Sequence, residues 1–236
     1  MDIKEVTLGR IAIASLLFDS LTPYNASLAK FRSVTDYKLD LGVKEHRDAL
    51  MSWLNDWGCR HLSKKNHQVA SESILKWYQT ECTTLFNDST PLWQLENREI
   101  KAAATAYGSL KDRRGARRSR DGSESEVHIG PTAASKILFA IRPKALMPWD
   151  EAMRVAFNLN ESAESYFEYL VTVKDLTLHI ADLCSSEDFQ IDDLPEKIGR
   201  ADSTVLELLN EYIWVTETRK IELPSSETLA QWASLG

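Results

Sequence analysis

Cysteine is nearly absent: 236 residues hold three, Cys59, Cys82 and Cys184. That is too few and too scattered for a disulfide framework or a four-thiolate site. An iron–sulfur cluster held by four thiolates is excluded on the same ground. Cys59-Arg60-His61 has no second ligand pair in sequence to complete a zinc site. Glycine and proline are scarce as well, at nine and seven residues, which speaks against low-complexity or disordered chain. No run of 18 apolar residues occurs, and the opening MDIKEVTLGR has neither the basic nor the apolar stretch of a secretory signal. The expectation is a cytoplasmic protein with no membrane partner, in which the glycosylation pattern Asn25-Ala26-Ser27 carries no meaning. There is no Walker motif, dinucleotide fingerprint, nucleophile elbow or internal repeat.

What the chain does have is apolar residues, 43% of the total, enough for one large domain or two lobes. Their spacing is helical almost throughout. Stripes at three- and four-residue intervals predict helices over about 6–21, 26–31, 44–57, 68–86 and 95–110, with Gly58 as a C-cap. Further helices are predicted over 132–141, 151–159, 162–184 and 203–218, and a short terminal one begins at Ser225 or Ser226. The breadth of the apolar set between Ser162 and Cys184 predicts a helix buried on nearly all sides. The fold class is therefore all-α, read as a two-lobed helical bundle.

The net charge of −7 is unevenly spread. Residues 1–100 are almost balanced at −1, and residues 155–236 carry −11. Residues 101–154 carry 11 Lys+Arg against 6 Asp+Glu, a net +5. Within that segment Lys111, Arg113, Arg114, Arg117, Arg118 and Arg120 fall within ten residues. With glycines at 115 and 122 and no apolar stripe, the stretch KDRRGARRSRDGSESE reads as a mobile basic loop able to order on a phosphate backbone. A second basic loop, CRHLSKKNHQ, places Arg60, Lys64, Lys65, His61 and His67 near Trp53 and Trp57.

Directly after the first basic stretch comes VHIGPTAASKILFAIRPKALMPWD, Val127 to Asp150. Ile129-Gly130-Pro131 makes a tight turn that opens a helix, since proline suits a first helical turn. Ala133, Ala134, Ile137, Leu138 and Ile141 give that helix one buried stripe. Arg142-Pro143 ends it, and Pro148-Trp149-Asp150 sets up the next start. Read by itself, Asp150 is a helix N-cap.

These residues resemble the hairpin and aspartate of the helix-hairpin-helix DNA glycosylase superfamily, the Gly-Pro-Asp family. The resemblance covers about 24 residues. In that family the catalytic aspartate follows the second hairpin glycine by about twenty positions in a Pro-x-Asp setting. Gly130 and Asp150 stand in that relation here, with Pro148 supplying the proline. Two positions depart from the family pattern. His128 occupies the place of the first hairpin glycine, and Thr132 the place where strand-cleaving members carry a Schiff-base lysine. The resemblance therefore implies a monofunctional enzyme that leaves an abasic site. Lys136, one turn further on, shares a face with Thr132. A helix before the turn is also implied. Either that arm is very short, or the helix at 95–110 supplies it across an inserted loop.

The resemblance implies double-stranded DNA as partner and base flipping as the mode of access. Asp150 would stabilise positive charge on the sugar and orient water. Gly130, Thr132, Lys136 and the arginines at 113, 114, 117, 118 and 120 would contact DNA, with the Ile129–Gly130 amides as a phosphate grip. Trp149, His128 and Trp57 would line the base pocket, and Trp53 more weakly. A cofactor is not expected, beyond a monovalent cation that the family turn often holds, and the chain is expected to be a monomer. The lobes would be 1–40 with 146–236, and 41–145 with the basic loop 111–126 and hairpin 127–141, bounding a DNA-binding cleft. Departure from the usual turn points to a specialised substrate, such as a bulky modified cytosine in phage DNA removed as a defence. A non-catalytic DNA-binding module and a helical protein–protein interaction domain are the alternatives from other classes.

Overall fold

A computed structural model of the chain describes residues 3–62, 66–82, 85–120 and 123–234. Apolar spacing becomes helix nearly wherever it is predicted, and the described residues are mostly helical. In chain order the first helices are α1 (Leu8–Leu21), α2 (Tyr24–Val34), α3 (Lys44–Asp56), α4 (His67–Thr80) and α5 (Asn97–Lys111). A ribbon of β1 (Arg114–Arg120) and β2 (Ser123–His128) follows. Then come α6 (Pro131–Ile141), α7 (Glu151–Ala156), α8 (Ala163–Ser186), α9 (Leu194–Lys197), α10 (Val205–Ile213) and α11 (Ser226–Ala233).

Local chemistry sets the boundaries. Thr7, Ser162, Thr204 and Ser225 each accept a first-turn backbone N–H, capping α1, α8, α10 and α11. Helix α5 opens on a capping box in which Glu96 and Glu99 satisfy each other's backbone N–H. The fourth helix stops at Thr80 instead of running to Phe86. Beyond its end, Glu81 accepts from Ser109 Oγ at 2.7 Å and Arg113 Nη2 at 2.8 Å, so the chain turns to meet α5 and the ribbon.

Buried side chains from 1–40, 41–145 and 146–236 join one continuous cluster. Helix α5 packs on α8 and α6, α1 on α10, and α2 on α3. Helix α8 is one-sided rather than buried all round. Tyr166, Tyr169, Leu170, Val173, Leu176 and Ile180 face the core while Leu178 is exposed. Its 24 residues give it length without enclosure, because polar and acidic residues such as Glu164, Glu168 and Asp175 fill its outer face.

The all-α-dominated fold class agrees with the mostly helical structure, and the correction concerns the basic stretch, which is not a mobile loop but pairs as a two-stranded β-ribbon. The strands pair antiparallel, with Arg117 opposite Glu126, Arg118 opposite Ser125 and Arg120 opposite Ser123. A basic strand facing an acidic one gains from cross-strand charge pairing, and Arg114 Nε lies 3.0 Å from Glu126 Oε1. The ribbon's root is buried. Ala116 is 2% exposed, and β1 lies against α4. At Gly115, beside a register shift, a Cβ would come within 2.9 Å of the Ile129 nitrogen and 3.0 Å of Leu62 Cδ2. Only glycine lets the ribbon cross the turn this closely.

Backbone hydrogen bonds close the base of the ribbon. Ile129 N–H donates to the Arg113 carbonyl at 2.8 Å, and Gly130 N–H to the Lys111 carbonyl at 2.9 Å. The end of α5 is thereby tied to the start of α6, with the ribbon inserted between them. No helix among the described residues is long and apolar enough to cross a membrane.

Candidate active site

Asp150 stands at the end of a loop that the core holds from beneath. Tyr166 donates its hydroxyl to the Met147 carbonyl at 3.0 Å, and Tyr169 to the Pro148 carbonyl at 3.1 Å. Trp149 N–H donates to Ser135 Oγ of α6 at 3.2 Å. The Trp149 ring sits edge-on to Tyr107 and Tyr166 and tilted on Tyr169, at centroid distances of 5.1–5.7 Å. Three backbone anchors and a buried tryptophan thus fix the position of one carboxylate. Asp150 itself caps α7, its Oδ1 accepting from Met153 N–H at 2.8 Å. Its Oδ2 accepts from the Thr218 hydroxyl at 3.3 Å. A carboxylate offers about four acceptor positions, so this leaves spare capacity on Oδ2.

The carboxylate borders a cleft of about 300 Å³, at the small end of the range for ligand sites. Its walls come from distant parts of the chain: Phe18, Tyr24, Trp57, Lys136, Asn210 and Trp214 are among them, with Thr132 and Pro148–Trp149. The aromatic rings brace one another. Phe18 and Trp214 meet edge-on at 5.1 Å, Tyr24 and Trp57 lie 5.5 Å apart, and Tyr24 and Trp214 6.3 Å apart. Trp57 is fixed by its indole N–H, shared between the Tyr24 carbonyl at 3.1 Å and Ser27 Oγ at 2.9 Å. Trp214 opens a π-helical turn, Trp214–Thr218, that continues α10. Trp214, at the start of that turn, lines the cleft, and Thr218, at its end, reaches Asp150.

Lys136 crosses from α6 to this wall. Its ammonium donates to the Trp57 carbonyl and lies 5.5 Å from the centre of the Trp57 ring. Burial pushes its pKa below the usual lysine value, with Cys59 and Asp150 opposing the shift. Lys136, expected to contact DNA, therefore lines the cleft beside Asp150, with its ammonium on the Trp57 carbonyl.

The turn is corrected too. The N–H groups of Ile129 and Gly130, expected to hold phosphate, are spent on α5 carbonyls and the residues just after it. The Ile129 carbonyl is met by His61 Nε2 at 2.9 Å, and the Gly130 carbonyl accepts from Ala134 N–H at 3.0 Å. With both carbonyls already accepting hydrogen bonds, the turn is a poor fit for a monovalent cation. The N–H groups of Thr132 and Ala133 have no acceptor within α6, as for any first turn. Gly130 has φ 79° and ψ 164°, a region that only glycine occupies without strain. Gly130→Ala is expected to lower unfolding free energy by about 1–3 kcal/mol, measured by urea titration.

The remaining predicted residues divide. Trp57 and Trp149 line the cleft, Trp149 from a position 1% exposed. Trp53 packs behind Trp57 at 4.7 Å and is core. His128 is exposed at the ribbon's base, opposite Arg114, and is not part of the cleft wall. Strand pairing turns it away from where a turn residue would have gone. Arg113 pairs with Glu81 at 2.8 Å and Arg114 with Glu126, while Arg117 is exposed. Arg118 and Arg120 lie on β1, with side chains outside the described residues, as are Lys64 and Lys65 entirely. Neither spacing nor motif singles out Tyr24, Asn210 or Trp214. No family model, curated protein or solved structure matches the chain.

Proposed function

We propose that the chain is a monofunctional DNA glycosylase, acting as a cytoplasmic monomer on double-stranded DNA. The observation that carries this reading is Asp150, rigidly placed beside an aromatic cleft of about 300 Å³ that can take one flat heterocycle. Cleavage of the N-glycosidic bond develops positive charge on the deoxyribose. A carboxylate held against that sugar stabilises the transition state more than the ground state. Asp150 Oδ2 also orients or deprotonates the attacking water, while Oδ1 keeps the side chain in place. Tyr24, Trp57 and Trp214 receive the base once it has left the stack.

The duplex approaches over the ribbon and the start of α6. A two-stranded ribbon has dimensions that a major groove admits, and Arg117, Arg118 and Arg120 on β1 supply positive charge. Thr132 and the free first-turn amides of α6 contact the backbone near the flipped nucleotide. The segments 1–40 with 146–236, and 41–145, form two lobes bounding the DNA cleft, with α5 and α6 as the arms of the motif. The substrate proposed is a modified base, with a bulky modified cytosine of phage DNA the first to try and antiphage defence the setting.

A second reading, a non-catalytic DNA-binding module, is favoured by one observation: Asp150 already serves as the N-cap of α7. The test is incubation with plain, damaged and phage-modified duplexes, followed by mild alkali. Strand breaks that need alkali are the expected result. Salt-sensitive binding with no breaks on any duplex would favour the module, and breaks without alkali would assign Lys136 a Schiff-base role in place of monofunctional chemistry.

A further inference from the structure

Every residue of α10 is buried, and three of them, Glu207, Asn210 and Glu211, are polar. The two glutamates are fully engaged: Glu207 by Arg32, and Glu211 by Ser15, Asn25 and Arg200. Asn210 is different. Its residue is 7% exposed, and its side-chain amide makes no hydrogen bond to any described residue. A carboxamide on a largely buried residue, with no partner among the described residues, keeps its donor and acceptor available to whatever fills the cleft. The remaining accessible surface of Asn210 faces the cleft that Asp150 borders. Trp214, four residues on, lines the same cleft, the spacing that puts two side chains on one helical face.

We propose that Asn210 reads the hydrogen-bonding edge of the base held in the cleft, an inference that rests on the glycosylase reading. A carboxamide presents a donor and an acceptor side by side and pairs with a heterocycle edge carrying the complementary couple. Trp214 and Tyr24 hold the flat face of such a ring, while Asn210 meets its rim. Shape and stacking alone admit any ring of the right size. The amide is what rejects an apolar one, since an unfilled hydrogen-bond pair in a dry site is costly.

The test uses small probes on the full chain, each methylated at the nitrogen that carries the sugar in DNA: 1-methylcytosine, 9-methyladenine, 1-methyluracil and the apolar ring 2,4-difluorotoluene, with binding followed by titration calorimetry. Wild type should bind the cytosine and adenine probes about ten- to a hundredfold more tightly than difluorotoluene. Asn210→Ala should bring that ratio close to one. Asn210→Asp, of the same size and shape, should keep cytosine and adenine, which offer an amino group. It should lose uracil, which flanks its single N–H with two carbonyls. No discrimination by wild type, no binding of any probe, or an unchanged ratio in both variants would overturn the proposal. The two readings fail separately. Selective base binding by a protein that releases no base from DNA leaves Asn210 standing and removes the enzyme. Base release by Asn210→Ala at wild-type rate and selectivity removes Asn210 alone.

Discussion

Asp150→Asn is expected to slow base release by about a hundred- to a thousandfold, the cost of losing one preorganised group that stabilises developing charge. The same substitution should leave unfolding free energy within about 0.5 kcal/mol, because asparagine caps helices as well as aspartate does. Its amide oxygen can still accept from Met153 N–H, and the loop's other anchors, Ser135, Tyr166 and Tyr169, are untouched. Asp150→Ala separates the roles differently. It should lose the same activity and also about 1 kcal/mol of stability with the cap. Single-turnover base release, read beside urea unfolding of the three proteins, checks both statements. If the Asp150→Asn variant and wild type released base at equal rates, Asp150 would be a cap and nothing more. A loss of activity matched by a loss of fold would point the same way.

The part of the site that was legible in the sequence is the part that is local. Gly130, Pro131 and the stripe from Ala133 to Ile141 define a turn and a helix by themselves, and Pro148-Trp149-Asp150 announces a helix start. The structure has α6 at Pro131–Ile141 and Asp150 as the α7 N-cap. The rest of the cleft is assembled by tertiary packing. Tyr24 lies near one end of the chain and Asn210 and Trp214 near the other, and each sits in an ordinary amphipathic helix pattern. Asn210 shares the stretch VLELLNEYIWV with Glu207 and Glu211, so its polarity alone does not set it apart in the sequence.

The ribbon escapes sequence reading for a different reason. Its strands, RGARRSR and SESEVH, carry almost no apolar residues, so neither helical nor alternating hydrophobic periodicity can appear. What holds them is backbone pairing, opposite charge across the strands and the buried root at Ala116. A basic run and an acidic run on either side of Asp121-Gly122 is a hairpin signal of its own. Charge order rather than hydrophobicity is the clue.

The largest expected loss of stability lies on the reverse side of α10. Arg200→Met should lower unfolding free energy by about 3–5 kcal/mol, the penalty for stranding a buried partner. Glu211 is 1% exposed and receives Arg200 Nη2 at 2.9 Å and Nη1 at 3.2 Å, Asn25 Nδ2 at 2.8 Å and the Ser15 hydroxyl. Burial pushes the Glu211 pKa up, while Ser15, Arg200 and Asn25 hold it down. Removing the guanidinium removes much of that opposition, so the carboxyl moves further toward the neutral form. A carboxyl whose folded pKa lies above its unfolded one stabilises the fold at low pH and loses that contribution as pH rises through the folded value. The Arg200→Met protein should therefore recover part of its stability on acidification, more than wild type does. Adding Glu211→Gln should restore much of the loss and flatten the extra pH dependence, since a neutral amide needs no counter-ion. Urea unfolding of the single and double variants across about pH 4.5–7.5 measures both effects, within the range where a raised carboxyl titrates. The network also joins α1 and α2 to α10, the elements that present Phe18, Tyr24 and Asn210 to the cleft. Weakening it should loosen the cleft walls while leaving Asp150, anchored through α6 and α8, in place.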